Sequence, residues 1–398
     1  MVLSRNVQRV APSVTMAMSA KAKAMQAKGI DVISLSAGEP DFDTPDNIKE
    51  AAIKAIREGF TKYTPGTGTP ELKRAVCDKF EEDNGLKYDP SQVTVNCGAK
   101  HSLFTTVLTL VGEGAEVIVP TPYWVTYAEQ PKLAGGESVI VGTKEAHGLK
   151  ITPDELRAAI TPKTKLLVLN SPSNPSGVVY TKEELEVLAE VALETGIYVL
   201  SDEIYEKIIY DGATHHSIAA LGDEIKKRTV VVNGVSKTYA MTGWRIGYAA
   251  GPKEIIDGMA KIQSQETSNP ASISQAAALE ALTGPQDFIE DMLKAFDERR
   301  KYMVARLNAL PGVSCAMPGG AFYAYPDVSV YYGRPFKGKK IDGSTALCDF
   351  LLEEMHVAAV PGEGFGTYPH IRFSYATSME NIERALDRVE EGLKRLEG

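Results

Sequence analysis

Short apolar runs alternate with amphipathic segments along most of this chain, beginning at Thr44. Apolar residues that recur every three or four positions, as over residues 48–56, predict a helix, whereas short apolar runs bounded by turn residues predict buried strands. The predicted strands cover residues 93–96, 116–119, 138–141, 166–170, 198–200, 229–233 and 246–250. Helical patterns such as residues 181–195 separate several of these strands. The chain is therefore predicted to form an α/β fold with a mostly parallel sheet and helices on both faces.

A second unit is predicted after a long helical pattern over residues 285–310. Its strands are expected at residues 321–325, 357–360 and 370–375, and its last helix at residues 378–396. A chain of 398 residues is long enough for two domains that each bury a core. The predicted division is an N-terminal arm that is part of the small domain (1–44), a large domain (45–285) and a C-terminal small domain (286–398).

The composition is that of a globular protein, with 43% hydrophobic and 24% charged residues, which excludes a disordered or collagen-like chain. A net charge of −9 without a basic stripe argues against nucleic acid or an anionic membrane as a partner. The first thirty residues lack the apolar core of a signal peptide, and no apolar run is long enough to span a membrane. Four scattered cysteines fit reduced thiols. These features predict a cytoplasmic protein.

Lys237 stands in a largely apolar segment, residues 235–248, that also contains Arg245. A lysine amine becomes a nucleophile toward an aldehyde when burial or a nearby cation lowers its pKa from about 10.4. A single lysine is ordinarily a solvated surface charge. The interpretation of Lys237 therefore depends on the polar residues predicted to lie at the same edge of the sheet.

Polar residues come directly after several predicted strands, where ligands bind in open α/β sheets. Gly98, Ala99 and Lys100 follow one strand and begin an apolar helix, whose first backbone N–H groups suit a phosphate. Asp202 ends another strand, and Tyr205 follows about one helical turn later. A buried carboxylate is costly unless it meets a cation.

These groups together match pyridoxal phosphate (PLP). Lys237 would take its aldehyde, Asp202 its pyridinium nitrogen, and the glycine turn with Arg245 its phosphate. Asn174, in the turn-rich segment of residues 170–177 after another strand, adds a rigidly held amide.

Ordered motifs along nearly the whole chain resemble those of a fold-type I, class I aminotransferase of the bacterial-type aspartate aminotransferase branch. These motifs are Ala37-Gly38-Glu39-Pro40-Asp41-Phe42-Asp43-Thr44-Pro45, Tyr63-Thr64-Pro65, Pro122-Tyr123-Trp124, Asn170-Ser171-Pro172-Ser173-Asn174-Pro175, Ser201-Asp202-Glu203-Ile204-Tyr205 and Arg372-Phe373-Ser374-Tyr375-Ala376. The resemblance implies the PLP-dependent transferase fold, with a mostly parallel large domain and a smaller α/β domain.

The resemblance also implies roles for residues around the cofactor. Trp124 would stack on its ring, and Asn174 and Tyr205 would bond its phenolic oxygen. Tyr63 would reach the phosphate of the neighbouring subunit's site, which implies a homodimer. Many relatives carry a phosphate-binding serine three residues before the lysine, where this chain has Gly234. Phosphate binding would then depend more on Ser236, Arg245 and backbone donors.

The substrate residues are likewise implied by the resemblance. Arg372 would clamp the α-carboxylate of an amino acid, with the backbone of Gly38 approaching the same group. Residues matching Thr15 and Lys100 are associated in this branch with acidic substrates, and a lysine could pair with a distal carboxylate.

The implied reaction moves the amino group of L-aspartate to 2-oxoglutarate by a ping-pong mechanism, with Lys237 as base at the substrate Cα and Asp202 keeping the cofactor ring nitrogen protonated. Three alternatives stay open. Glutamate or aspartate with prephenate is an extension of the same activity, a PLP-dependent lyase would use the same cofactor residues, and a regulator would use the domain to sense an amino acid or PLP.

Two other segments resemble functional motifs without meeting their requirements. Residues 333–340 nearly spell a phosphate-binding loop, but Lys340 stands where a magnesium-binding serine or threonine is required. We interpret this segment as a basic surface loop. His215 and His216 lack a ligand-spaced partner, so they are interpreted as exposed loop residues, and no metal is predicted.

Overall fold

The computed structural model describes residues 3–396. Its strands are β1 (Ile33–Ser34), β2 (Val93–Asn96), β3 (Glu116–Pro120), β4 (Glu137–Val141), β5 (Thr164–Asn170), β6 (Tyr198–Asp202), β7 (Thr229–Gly234), β8 (Gly247–Ala250), β9 (Tyr323–Ala324), β10 (Pro335–Phe336), β11 (Lys339–Lys340), β12 (Val357–Ala358), β13 (Val360–Pro361) and β14 (Ile371–Ser374).

The α-helices separate most of these strands. They are α1 (Arg5–Gln8), α2 (Val14–Gln26), α3 (Asp46–Arg57), α4 (Pro70–Asn84), α5 (Ala99–Leu110), α6 (Thr126–Leu133), α7 (Pro153–Ala159), α8 (Lys182–Thr195), α9 (Asp223–Lys226), α10 (Lys253–Glu266), α11 (Ser272–Thr283), α12 (Phe288–Asn308), α13 (Ser344–Met355) and α14 (Met379–Arg395).

A seven-stranded sheet forms the centre of the molecule, with strand order β2-β8-β7-β6-β5-β3-β4. Strands β4, β3, β5, β6 and β7 pair in parallel, and β8 runs antiparallel between β7 and β2. All seven sequence-predicted strands lie in this sheet, to within a few residues at their ends. The predicted α/β class and mostly parallel sheet are therefore confirmed.

Helices cover both faces of this sheet, and its inner strands are therefore mostly buried on both faces. Every position of β7 is buried, as is every position of β8. Separate apolar clusters pack on the two sides: one contains Leu103 of α5 and Met259 of α10, and another contains Leu185 and Leu188 of α8. Burial on both faces explains why these strands read as continuous apolar runs.

Smaller sheets lie outside the central one. Strands β13, β14 and β9 form an antiparallel sheet, and β1 pairs in parallel with β12, which joins the N-terminal segment to a strand near the other end of the chain. This pairing supports the predicted packing of the arm on the C-terminal unit. The three domain boundaries stay a prediction, and residues 1–2 and 397–398 of the predicted units lie outside the described part.

Residues 333–340 contain a short antiparallel hairpin, β10 with β11. A phosphate-binding loop leads from a strand through glycines directly into a helix, whereas here two strands occupy the segment and α13 begins only at Ser344. This geometry does not suit nucleotide phosphates. Within residues 3–396, no helix combines the length and apolar character needed to cross a bilayer.

Candidate active site

A cavity of about 480 Å³ opens where the carboxyl ends of β5, β6 and β7 meet the N-terminal segment and β14. Nearly all the sequence-predicted site residues line it. They are Thr15, Gly38, Ala99, Lys100, Trp124, Asn174, Asp202, Tyr205, Ser236, Lys237, Arg245 and Arg372. The carboxyl ends of neighbouring parallel strands lie at one edge of the sheet. Side chains from distant parts of the sequence therefore meet there, as expected for an open α/β sheet.

Lys237 follows the end of β7 and projects its amine into the cavity, where Nζ donates a hydrogen bond to the Gly38 carbonyl at 2.5 Å. Burial lowers the pKa of this amine to about 8, with Arg245 and Arg372 contributing in the same direction and Glu39 opposing them. About a tenth of the amine is therefore unprotonated at pH 7, far more than for an ordinary lysine, and this is the form that attacks an aldehyde.

Asp202 ends β6 and is almost completely buried. Its Oδ2 accepts a hydrogen bond from the Tyr127 hydroxyl at 2.6 Å, and its Oδ1 accepts one from the Ile204 backbone at 3.2 Å. Burial raises the pKa of this carboxyl to about 6, although both hydrogen bonds and Lys237 lower it. The two hydrogen bonds hold the carboxylate in place without supplying the full positive charge that would stabilise it, so the site favours a cationic group.

Helix α5 begins at the cavity directly after β2, with Gly98 at its N-cap in a left-handed backbone conformation (φ 88°). A Cβ at this position would lie 2.3 Å from Nη2 of Arg245, so glycine lets the guanidinium lie against the helix N-terminus. The helix dipole, its free N–H groups and Arg245 all favour an anion, and the buried Ser236 lines the same cavity.

The structure gives a steric account of Gly234. A Cβ there would lie 2.9 Å from the Cα of Gly247 and 3.0 Å from the Ile246 carbonyl oxygen. Because both contacts are with the backbone at the start of β8, which pairs with β7, a serine would require the strands to move apart. This chain therefore has no room for the serine of many relatives.

Arg372 on β14 is 2% exposed. Its Nη1 donates to Oδ1 of Asn174 and its Nη2 donates to the Ser36 carbonyl, both at 2.8 Å, while its buried Nε has no hydrogen-bond partner within the described residues. Burial lowers the pKa of this guanidinium. A buried guanidinium held by neutral acceptors is costly, and an anionic ligand at the cavity would compensate its charge.

Asn174 and Tyr205 are held beside these groups. The Asn174 backbone N–H donates to Oδ1 of Asn170 at 2.8 Å, and the Tyr205 hydroxyl lies 2.8 Å from that of Tyr323. Trp124 packs edge-on against the Tyr127 ring, with centroids 5.5 Å apart. Trp124 also lines the cavity.

Thr15 and Lys100 line the cavity from opposite elements, α2 and α5. The Thr15 hydroxyl is 2.9 Å from that of Ser13, and the Lys100 ammonium lies 4.6 Å from the centroid of the Trp124 ring. Burial and the nearby Arg245 lower the pKa of Lys100. No ion pair of Lys100 with a carboxylate is seen within residues 3–396, so its charge is available to a ligand.

Two predicted residues do not line this cavity. Gly98 lies against Arg245, where the absence of a side chain leaves room for the guanidinium. Tyr63 is 89% exposed and lies elsewhere on the surface of the single chain. Its predicted contact with the neighbouring subunit's phosphate site stays a prediction.

The sequence analysis missed four residues that hold site residues by hydrogen bonds. Tyr127 bonds to Asp202, Tyr323 to Tyr205, Asn170 to Asn174, and Ser36 to Arg372. Tyr127 is the second residue of α6, and Trp124 precedes this helix. An aromatic residue in a buried element ordinarily belongs to the core, so no pattern in the sequence indicated its contact with Asp202.

The interpretation of His215 as an exposed loop residue was wrong. Its side chain is 7% exposed, and its Nε2 lies 3.0 Å from Oε2 of the buried Glu203. One ligand atom each of Glu203, Glu206 and His215 lie within 4.8 Å of one another. The buried ammonium of Lys79 already pairs with Glu206, so a cation is present in this cluster without a metal.

Comparison with known proteins identifies the family of this chain. The family model for aminotransferase class I and II matches residues 30–389. An aspartate aminotransferase of Geobacillus stearothermophilus is 51% identical over 392 residues, and an aspartate/prephenate aminotransferase of Cereibacter sphaeroides is 50% identical over 390 residues, with 98% of each chain covered in both cases. The crystal structure of the aspartate aminotransferase from Rhizobium meliloti is 45% identical, with a TM-score of 0.96 and complete coverage of both chains. The predicted fold type I is thereby confirmed, and this chain belongs to the aminotransferase class I and II family.

Proposed function

We propose that this protein transfers the amino group of L-aspartate to 2-oxoglutarate, with PLP as the carrier of the amino group. The observation that carries the proposal is Arg372, a buried guanidinium that shares one cavity with the Lys237 amine and the Asp202 carboxylate. Such a guanidinium can bind a carboxylate through two parallel hydrogen bonds. The names of the relatives support aspartate as the amino donor.

The residues present fit PLP. The Asp202 carboxyl has a raised pKa that a pyridinium nitrogen would bring back toward its usual range. The N-terminus of α5, Arg245 and Ser236 form an anion site for the phosphate, and Lys237 supplies a reactive amine. When bound, PLP supplies an aldehyde that accepts amines and a ring that withdraws electrons from the substrate Cα.

Each residue then has a defined task. Arg372 orients the substrate by its α-carboxylate and so sets the Cα–H bond toward Lys237. Lys237 moves the proton from Cα, acting as general base and then as general acid. With the cofactor bound, Asp202 would hold a proton on the ring nitrogen, and Asn174 and Tyr205 would donate to the phenolic oxygen.

Selection of an acidic side chain is assigned to Lys100 with Thr15. The ammonium of Lys100 has no carboxylate partner in the described chain, and a dicarboxylate bound at Arg372 could extend its second carboxylate toward it. Prephenate is the second candidate acceptor, because relatives named aspartate/prephenate aminotransferase are 50% and 47% identical to this chain.

We also propose that the protein is a homodimer in which Tyr63 completes the neighbouring site. The 89% exposure of this aromatic side chain supports that role, since an exposed tyrosine on a single chain is available to a partner. All four cysteines are unpaired, which supports the predicted cytoplasmic location.

The test uses purified protein loaded with PLP. L-Aspartate alone should change the visible absorption of the bound cofactor, and 2-oxoglutarate should restore it while oxaloacetate and glutamate accumulate. The Lys237→Ala variant should form neither product. An absorbance change without oxaloacetate would indicate a different amino donor or a lyase, and no response to any amino acid would favour a sensing role.

A matched pair of acceptors separates the two candidate substrates. Prephenate should replace 2-oxoglutarate in restoring the cofactor absorption only if the cavity also admits its ring. Failure of prephenate with full activity toward 2-oxoglutarate would remove the second candidate.

A further inference from the structure

Tyr323 on β9 lines the cavity and lies against Tyr205, Arg372 and the backbone of Gly38. It is fully buried, and its hydroxyl lies 2.8 Å from the Tyr205 hydroxyl. The face of its ring lies 4.3 Å from the guanidinium carbon of Arg372. A Cβ added to Gly38 would lie 3.1 Å from the Tyr323 hydroxyl, so the N-terminal segment packs closely on it.

The two hydroxyls share one hydrogen bond, so only one of them donates to the other. Burial raises the pKa of both tyrosines, which keeps both protonated near neutral pH. If Tyr205 is to donate to a ligand oxygen, it must accept from Tyr323. A hydroxyl that accepts a hydrogen bond is also a stronger donor, because the bonds in a chain polarise one another.

The ring of Tyr323 acts on a different group. Arg372 carries a buried positive charge whose two observed acceptors are neutral, and an aromatic face attracts such a cation. The Phe365 ring lies farther away, 5.2 Å from the same carbon. Strand β9 pairs with β14, with Ser374 opposite Tyr323, so the ring and the guanidinium are held by neighbouring strands.

We propose that Tyr323 is a positioning residue that couples the two halves of the site: its hydroxyl orients Tyr205 toward the cofactor, and its ring holds Arg372 for the substrate carboxylate. This inference rests on the proposed function for the identity of the cofactor and the substrate. Its two halves are separable, since phenylalanine keeps the ring and leucine removes both ring and hydroxyl.

The hydroxyl is tested with Tyr323→Phe in PLP-loaded protein, by titrating the visible absorption of the bound cofactor against pH. A donor on the phenolic oxygen stabilises negative charge there and lowers the affinity of the nearby Lys237 nitrogen for a proton. The pH at the midpoint of this titration should therefore be higher in the variant by about 0.5 to 1 pH unit, the size expected for weakening one hydrogen bond. Tyr325→Phe is the control, because its buried hydroxyl pairs with Thr367.

The ring is tested by calorimetric binding of succinate, a dicarboxylate without an amino group, to cofactor-free protein. Tyr323→Leu should weaken binding by about three- to thirtyfold, whereas Tyr323→Phe should stay within about twofold of the parent protein. Circular dichroism checks that Tyr323→Leu is folded. Should that variant be unfolded, Tyr323→Met, which keeps more volume, takes its place.

The outcomes distinguish this inference from the proposed function. An unchanged pH midpoint in Tyr323→Phe overturns the role of the hydroxyl, and unchanged succinate affinity in the variant without the ring overturns the role of the ring. Neither measurement requires turnover, so absence of transamination in the parent protein would contradict the proposed function alone.

Discussion

Replacing Lys237 by methionine should stabilise the cofactor-free protein at neutral pH. Burial lowers the pKa of this amine from 10.5 to about 8, so the folded protein disfavours its charged form. A difference of 2.5 units corresponds to about 3 kcal/mol of destabilisation while the amine is charged in both states. Methionine has a similar length and no charge to desolvate.

Two effects reduce the expected gain. Lys237 lowers the pKa of Asp202, so its removal makes that carboxylate harder to keep ionised. The Gly38 carbonyl loses a donor, although water can replace it because Gly38 is exposed. The net gain should therefore be about 1–3 kcal/mol at pH 7.

The dependence on pH identifies the cause. A base whose pKa is lower in the folded state destabilises the protein fully below the folded pKa, here about 8, and the effect fades as pH rises toward 10.5. The advantage of Lys237→Met should thus shrink between about pH 8 and pH 10.5 and stay nearly constant below about pH 8. Thermal denaturation of the cofactor-free proteins across this range measures it.

The control is Lys253→Met, at an exposed lysine that pairs with Asp257 on the surface of α10. Its stability should stay within about 0.5 kcal/mol of the parent protein at every pH. A Lys237→Met protein that is less stable than the parent at neutral pH would refute the reasoning. So would a stability advantage of the same size at all pH values.

Three further predictions concern other parts of the site. Lys100→Ser should lower kcat/KM for aspartate at least about tenfold more than for phenylalanine, because only a dicarboxylate can use the ammonium; equal losses in steady-state kinetics would contradict the assignment. Lys79→Met should lower the free energy of unfolding in urea by about 3–5 kcal/mol, because it leaves Glu206 buried without its cation. Adding Glu206→Gln should recover part of that loss. A Lys79→Met protein as stable as the parent would show that the pair does not stabilise the fold. Gly98→Ala should weaken PLP binding at least about tenfold in a fluorescence titration, because the new methyl group would lie 2.3 Å from Arg245; unchanged affinity would mean that the guanidinium has another position.

The sequence predicted the central sheet well because its strands are buried on both faces. A strand such as β7, buried at every position, leaves a continuous apolar run that is easy to recognise. The direction of β8 could not be predicted in the same way. Both parallel and antiparallel strands can be apolar throughout, and the antiparallel pairing of β8 with β2 and β7 depends on the path of the connecting segments.

Most of the cavity lining was predictable because Asp202 and Lys237 stand at or just after the carboxyl ends of strands. In an open α/β sheet, these ends lie together at the ligand-binding edge. The residues that hold them were not predictable from their own surroundings. Tyr127 and Tyr323 stand in buried elements, where an aromatic residue is ordinarily part of the core. His215 was misjudged because no partner is near it in the sequence, whereas in the fold its imidazole lies 3.0 Å from the buried Glu203 carboxylate.

The contact between Arg372 and the Ser36 carbonyl joins residues 336 positions apart. At a translation rate of about 5–20 residues per second, Ser36 leaves the ribosome tens of seconds before its partner. Lys237, Asp202 and Arg245 are all synthesised before β14. Until β9 and β14 are made, the nascent chain contains Lys237, Asp202 and Arg245 but lacks both Tyr323 and Arg372. The residue proposed to bind the substrate carboxylate is therefore the last part of the candidate site to be synthesised.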